Sequence, residues 1–213
     1  MYIIPNLMIQ SIWGIDMKKG IILALFIGFV TLTVSAQGFY FDIGLGLGKG
    51  WIKINGNEVN NLGSGVSEIA VDIGLKAGYG PFGAIPIYIV GELGGIGHRF
   101  FDSYNYIQFN SYIIGPGILF YPIPLIQLGL SFGYSFISNQ TDIPGFEFYD
   151  GKGGFAWNIS AAFDLGKGNH GCLIGIKYFN ANNTLETSNA KENASMVGVF
   201  VKYTFRHKAP SLF

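Results

Sequence analysis

Charge is what this sequence has least of. Only 12% of its 213 residues are charged, and 13 Lys and Arg residues balance 13 Asp and Glu residues. Because soluble domains are typically about 25% charged, too few charges remain to cover a water-facing exterior. The balanced charge also provides no basic surface of the kind that binds nucleic acid, so we expect no nucleic-acid partner.

Cysteine is nearly absent as well. The single cysteine, Cys172, excludes an intramolecular disulfide framework and a cysteine-rich metal site. We expect no metal ion and no cofactor. The uncharged apolar run from residue 20 to residue 34 would span only ~22 Å as a helix, which is short of a hydrocarbon core of about 30 Å.

That apolar run has the surroundings of a secretory leader. Lys18 and Lys19 precede it, and Val34-Ser35-Ala36 follows it. A positive segment, an apolar segment and a small-residue cleavage site predict a signal peptide over residues 17–36, with a retained membrane helix as the alternative. Met17 opens a complete leader by itself, so residues 1–16 are expected to be a non-native extension from a misassigned start.

The rest of the chain alternates between apolar and small or polar residues. Residues 197–205 read Val-Gly-Val-Phe-Val-Lys-Tyr-Thr-Phe, and every second side chain is apolar, as in a β-strand with one apolar face. The same period predicts strands over 39–48, 67–79, 85–93, 106–121, 127–136, 154–165 and 172–179. Gly115-Pro116-Gly117 predicts a bulge or kink within the fourth strand. The eight strands are joined by alternately long and short connections, including a long one over 94–105, and outer-membrane barrels show this asymmetry.

The side chains opposite the apolar face favour a membrane barrel over a soluble one. They are mainly Gly, Ala, Ser and Asn, which suit the narrow interior of an eight-stranded barrel, so the apolar face is expected to contact lipid. Two belts of aromatic residues support this orientation. They consist of Phe39, Tyr79, Tyr121, Tyr203 and Phe205 near the periplasmic boundary, and Tyr134, Phe136, Phe155, Trp157 and Tyr178 near the outer one.

We therefore predict an all-β, eight-stranded antiparallel up-and-down transmembrane β-barrel over residues 37–205, followed by a short periplasmic tail over 206–213. The chain resembles the small OmpA/OmpX-like outer-membrane barrel superfamily in its architecture, its aromatic belts and its closing segment Val199-Phe200-Val201-Lys202-Tyr203-Thr204-Phe205. The resemblance implies export to the bacterial outer membrane, contact with its lipid, and recognition of the C-terminal strand by the barrel-assembly machinery through Phe205. We expect a monomer.

Two groups of residues are candidates for function. Charged residues on the inward face either fill the lumen as ion pairs, which we favour, or line a path for protons or ions; they are Asp42, Glu68, Asp72, Lys76, Glu92, Asp164, Lys177 and Lys202. Aromatic residues assigned to the extracellular loops either contact an unknown external ligand or pack together; they are Trp51, Phe100, Phe101, Tyr104, Phe148 and Tyr149.

Three functions are consistent with these residues. The favoured one is a non-enzymatic barrel with a structural or surface-contact role of the adhesion type, carried by four extracellular loops and without an open pore. The second is an enzyme that modifies lipid of the outer leaflet, with His98 on the predicted loop as its participant. The third is a narrow channel or carrier for a small molecule. We assign no catalytic residue.

Overall fold

The computed structural model describes residues 38–59, 65–82, 86–145, 151–166, 168–186 and 189–207. The predicted signal peptide and the extension before it lie outside these residues. In the part of the chain that is described, no helix is long and apolar enough to cross a membrane. The strands are β1 (Phe39–Ile54), β2 (Asn57–Glu58), β3 (Ser67–Tyr79), β4 (Ile87–Phe101), β5 (Tyr106–Ile123), β6 (Ile126–Ile137), β7 (Gln140–Thr141), β8 (Gly151–Asp164), β9 (His170–Leu185) and β10 (Lys191–Arg206).

Eight long strands form a closed ring. Their order is β1-β3-β4-β5-β6-β8-β9-β10, and β10 pairs back with β1 from Tyr40 opposite Arg206 to Ile54 opposite Glu192. Each neighbouring pair is antiparallel, while the two-residue strands β2 and β7 add short pairings to β1 and β5. The ring confirms the predicted eight-stranded up-and-down barrel.

The outer wall of this ring is apolar. Large apolar side chains stand exposed in alternation along the strands, as Leu45, Ile176 and Val199 illustrate. The inner wall instead holds the buried charged and polar side chains. A soluble protein would have the reverse arrangement, and a closed sheet with an apolar exterior is what a hydrocarbon environment requires.

The strands run farther than the apolar alternation predicted. β4 continues to Phe101, so most of the expected long connection over 94–105 is strand, and only residues 102–105 join β4 to β5. The prediction was wrong here because it followed apolar outer residues. Above the bilayer the outer face meets water, and exposed residues such as Lys53 and Arg99 take the outward positions without ending the strand.

Most of the predicted aromatic belt faces outward, and Tyr121 does not. Its side chain is 1% exposed and packs inside the barrel against the ring of Tyr88, whose centroid is 5.7 Å away. The neighbouring residues Ile118 and Phe120 take the lipid-facing positions. Because residues 118–121 are apolar or aromatic at every position, their pattern did not indicate which face is which.

β5 is irregular at two places, and one of them is where the sequence predicts a bulge or kink. Pairing with β6 lapses at Gly115 and Pro116 but resumes in the same register with Gly117 opposite Ser131. The shift of register falls between Phe120 and Ile123, beside the short turn to β6. Proline cannot donate a backbone hydrogen bond, and it is tolerated where pairing lapses without a bulge.

Candidate functional site

The periplasmic end of the lumen is filled by bonded polar side chains. Arg206 forms an ion pair with Asp164 and donates from Nη1 to the Tyr121 hydroxyl at 3.3 Å. Gln127 Nε2 donates to the hydroxyls of Tyr121 at 2.6 Å and of Tyr40 at 2.9 Å. Arg206 was predicted to begin the tail. It instead ends β10 with its side chain buried in the barrel, since it continues the inward positions of Lys202 and Thr204.

The middle of the lumen holds three lysines and three carboxylates in contact. Lys177 Nζ lies 2.5 Å from Asp72 and 3.8 Å from Glu92. The remaining pairs are Lys76 with Glu92 at 3.1 Å and Lys202 with Asp42 at 3.0 Å. The structure thus brings together six of the eight predicted lumen charges, while Asp164 lies in the layer below. The formal charges of this layer cancel, and all six groups are buried.

An apolar cluster fills the lumen around and above these charges. Sequence reasoning missed it because several of its members were assigned to loops. It comprises Ile52, Ala70, Ile96, Phe100, Phe109, Ile113, Ala156, Phe179, Ala181, Ala194 and Met196. A cavity of about 10 Å³ lies where the charged and apolar layers meet, beside Lys177 and Met196. That volume is no more than one water molecule needs.

Glu68, the eighth predicted lumen charge, is separated from the others. It forms an ion pair with Lys49 at the upper end of β3, and its side chain is partly exposed. Its second carboxylate oxygen lies 3.4 Å from His98 Nε2. Glu68 therefore belongs to the extracellular rim.

His98 lies inside the barrel and not on a loop. Its ring is buried and packs against the ring of Phe100, tilted by 33°, with centroids 4.4 Å apart. Neither ring nitrogen makes a hydrogen bond with a described residue. A serine–histidine–acid arrangement requires such bonds, so this geometry gives the lipid-modifying interpretation no support.

The predicted loop aromatics separate into three groups. Tyr104 is 89% exposed at the tip of the β4–β5 turn and Phe101 is partly exposed beside it. Trp51 lies on β1 and faces outward, half-buried. Phe100 was wrongly expected on an exposed loop: it is 6% exposed, because β4 continues through it and its position faces the lumen. The remaining two, Phe148 and Tyr149, lie outside the described residues.

The β4–β5 turn is held by Asp102. Its Oδ1 accepts hydrogen bonds from the backbone N–H groups of Tyr104 at 2.7 Å and Asn105 at 2.8 Å. These two bonds lower the pKa of the Asp102 carboxyl, which is fully exposed. A pocket of about 140 Å³ opens next to the turn; its lining is Val66, Phe100, Phe101, Asp102, Asn105, Tyr106, Ile107 and Ile143.

Closure of the sheet, the apolar exterior and the filled polar interior define an outer-membrane β-barrel. No family model matches the sequence, and no curated protein matches it. Solved structures do resemble it. Ail, the attachment invasion locus protein of Yersinia pestis, is 12% identical with a TM-score of 0.46, over 78% of this chain and 98% of that one.

Two further similar structures are of the same kind. Neisserial surface protein A is 13% identical with a TM-score of 0.43, over 76% of this chain and 96% of that one. The outer membrane protein OprG from Pseudomonas aeruginosa is 11% identical with a TM-score of 0.42, over 80% of this chain and 96% of that one. The barrel assignment itself stands on the strand pairing within this chain.

Proposed function

We propose that the protein is a closed, non-enzymatic outer-membrane barrel with a surface-contact role carried by its extracellular end. The observation that carries the proposal is the filling of the described lumen at three levels: the Arg206 layer, the six paired charges and the apolar cluster. A barrel filled in this way leaves its exposed rim as the part that can act on other molecules.

The filled lumen argues against passage of solutes. To open a path, buried ion pairs such as Lys177–Asp72 would have to separate, and breaking one buried pair costs about 3–5 kcal/mol. Several layers would have to open together. We expect the refolded protein to show no discrete conductance steps in planar bilayers in 1 M KCl. Regular steps that scale with the amount of protein would contradict the closed barrel.

The β4–β5 turn is the best candidate for the contact surface. It presents Tyr104 and Phe101 to the outside, beside an apolar pocket of about 140 Å³. An apolar protein cavity of about 150 Å³ accommodates one benzene ring. Exposed aromatic residues are enriched where proteins contact one another. We therefore propose a protein partner that inserts one aromatic or branched aliphatic side chain here.

The test uses vesicles that contain the refolded barrel and surfaces coated with fibronectin, laminin or collagen. We expect the wild-type vesicles to be retained on at least one coat. The double variant Tyr104→Ser, Phe101→Ser should be retained about tenfold less, since a lost aromatic anchor typically costs more than 1 kcal/mol. Phe82→Ser is the matched control, because Phe82 is also an exposed aromatic residue, and it lies just after the end of β3, at the opposite end of the barrel.

Two results would contradict the contact role of the turn. One is retention of wild-type vesicles no greater than that of protein-free vesicles on all three coats. The other is equal retention of the wild type and the double variant.

A further inference from the structure

Glu192 differs from the other buried acids of the barrel. The described residues contain five buried acids, and four of them contact a basic side chain: Asp42, Asp72, Glu92 and Asp164. Glu192 is 1% exposed and forms no ion pair with any described residue. The neighbouring cations Lys53 and Lys191 are exposed on the outer side of their strands, and Lys152 donates to Asn189 instead.

Other buried polar groups without partners lie in the same row of the sheet. In the pairing register Glu192 is opposite Asn183, Asn183 is opposite Gly154, and Gly154 is opposite Ser135. Side chains at directly opposite positions have Cβ atoms about 5 Å apart. Asn183 and Ser135 are also buried, and neither side chain makes a hydrogen bond within the described part of the chain. Ser135 is three strands away from Glu192 around the ring of eight, so it lies across the lumen from the carboxylate, and Gly154 adds no side chain between Asn183 and Ser135.

One oxygen of the Glu192 carboxylate is held in place. Oε2 accepts a hydrogen bond from Asn139 Nδ2 at 2.7 Å, and Asn139 Oδ1 in turn accepts one from the Asn110 backbone N–H at 3.0 Å. The second bond orients the amide so that its nitrogen faces Glu192. The other carboxylate oxygen, Oε1, makes no hydrogen bond among the described residues.

These groups are the ligands that a hard cation uses. Oε1 of Glu192, Oδ1 of Asn183 and Oγ of Ser135 are all oxygen donors, which hard metal ions prefer. A buried charge requires compensation, and a single carboxylate compensates one positive charge. A divalent ion would leave a net positive charge in the same buried space. We propose that Glu192, Asn183 and Ser135 bind a small monovalent cation, Na⁺ or K⁺, near the extracellular end of the lumen.

A proton is the competing occupant of the Glu192 carboxyl. Glu192 lies toward the extracellular end of β10, above the lipid-exposed Val197. Burial raises the pKa of the Glu192 carboxyl, whereas the Asn139 hydrogen bond lowers it. The experiment must therefore separate metal binding from simple protonation.

Thallium(I) distinguishes metal binding from protonation, because Tl⁺ replaces K⁺ and gives an anomalous scattering signal. The experiment soaks crystals of the refolded protein in thallium(I) acetate at pH 8. We expect an anomalous peak in contact with Glu192 Oε1 and Asn183 Oδ1. It should disappear in Glu192→Gln, weaken in Ser135→Ala, and persist in the control Glu58→Gln, whose carboxylate is exposed on β2. Absence of a peak in the wild type, or a peak unchanged in Glu192→Gln, would overturn the proposal.

Solution stability provides an independent measurement on the same variants. A ligand that binds only the folded state raises the unfolding temperature with its concentration. In detergent at pH 8 and constant ionic strength, we expect NaCl or KCl to raise the unfolding temperature of the wild type by several degrees relative to N-methyl-glucamine chloride. Glu192→Gln should show no such difference. A wild type that is equally stable in all three salts would overturn the proposal.

Discussion

Lys177 lies between two buried carboxylates, those of Asp72 and Glu92. The Lys177→Met variant retains an apolar stem of similar length and removes the charge that compensates both. We expect the free energy of unfolding to fall by about 3–5 kcal/mol, because a buried charge left without its partner is strongly destabilising.

The measurement is urea unfolding in lipid vesicles, followed by tryptophan fluorescence. Lys191→Met is the control, since Lys191 is exposed at the outer end of β10. A change below about 1 kcal/mol for Lys177→Met would mean that Lys76 and Lys202 compensate both acids by themselves.

Glu192 makes the stability of the barrel depend on pH. Burial raises the pKa of its carboxyl above the ordinary value of 4.5. The folded state therefore holds the proton of Glu192 more tightly than the unfolded state does. The contribution of this proton to the stability of the folded state is present below about pH 4.5 and is lost as pH rises through the raised pKa. In a buffer free of Na⁺ and K⁺, Glu192→Gln should have a higher free energy of unfolding than the wild type at pH 8, because the variant has no charge to bury.

The difference in free energy of unfolding between the wild type and Glu192→Gln should vanish near pH 4, where Glu192 is protonated in the folded and unfolded states alike. Urea unfolding at both pH values measures it. Equal free energies of unfolding for the wild type and Glu192→Gln at pH 8 would indicate that water or protein dipoles stabilise the charged carboxylate.

The inward residues were predictable from the sequence only in part. Lys177 and Asp72 were placed on the inner face by alternation alone, because each sits between apolar neighbours. Tyr121 and Phe100 were misplaced. Tyr121 lies in an uninterrupted apolar run that carries no period. Phe100 lies on β4 between the outward-facing residues Arg99 and Phe101. Because one of these is charged and the other is aromatic, polarity does not distinguish the outer face of β4 from the inner face there.

At the scale of elements, the β4–β5 turn depends on one exposed carboxylate. Asp102→Ala removes the acceptor for two backbone N–H groups, those of Tyr104 and Asn105. We expect these amides to exchange hydrogen with solvent faster in the variant, while exchange in the transmembrane parts of β4 and β5 stays the same. Tyr104→Ala is the control, since it removes a side chain and leaves both hydrogen bonds.

The same turn should loosen in the wild type at low pH. The hydrogen bonds lower the pKa of Asp102, so the stabilisation they give is present above its ordinary value of 3.8 and is lost as pH falls through the lowered pKa. Exchange rates that are equal in Asp102→Ala and the wild type at neutral pH would show that the short connection alone defines the turn.

Strand existence was predictable and strand length was not. Alternation of apolar with small residues located all eight long strands, since lipid on one side and a narrow lumen on the other impose that pattern. Beyond the bilayer both faces of the sheet can carry polar residues, and the periodic signal ends even though pairing continues, as from Lys49 to Ile54 in β1. Glu192 and Asn183 lie in such segments and were missed for that reason.

At the scale of the whole molecule, the position of the barrel in the bilayer follows from its apolar outer wall. Leu45 stands on this wall between Ile43 and Leu47, with Val201 and Ile73 opposite it on the neighbouring strands. All five side chains are exposed and apolar, so Leu45 is expected near the middle of the hydrocarbon core. Trp51 occupies an outward position on the same strand, past Lys49 and therefore beyond the apolar region.

An arginine scan along the outward positions of β1 tests this placement. Arginine on the lipid face costs about 2–4 kcal/mol at the midplane and about 0–1 kcal/mol near the interface. We therefore expect Leu45→Arg to lower the free energy of unfolding in vesicles by about 2–4 kcal/mol and Trp51→Arg to lower it far less. Equal costs at the two positions would contradict the assignment of this wall to the membrane, because a water-facing wall has no depth along which the cost of a charge could vary.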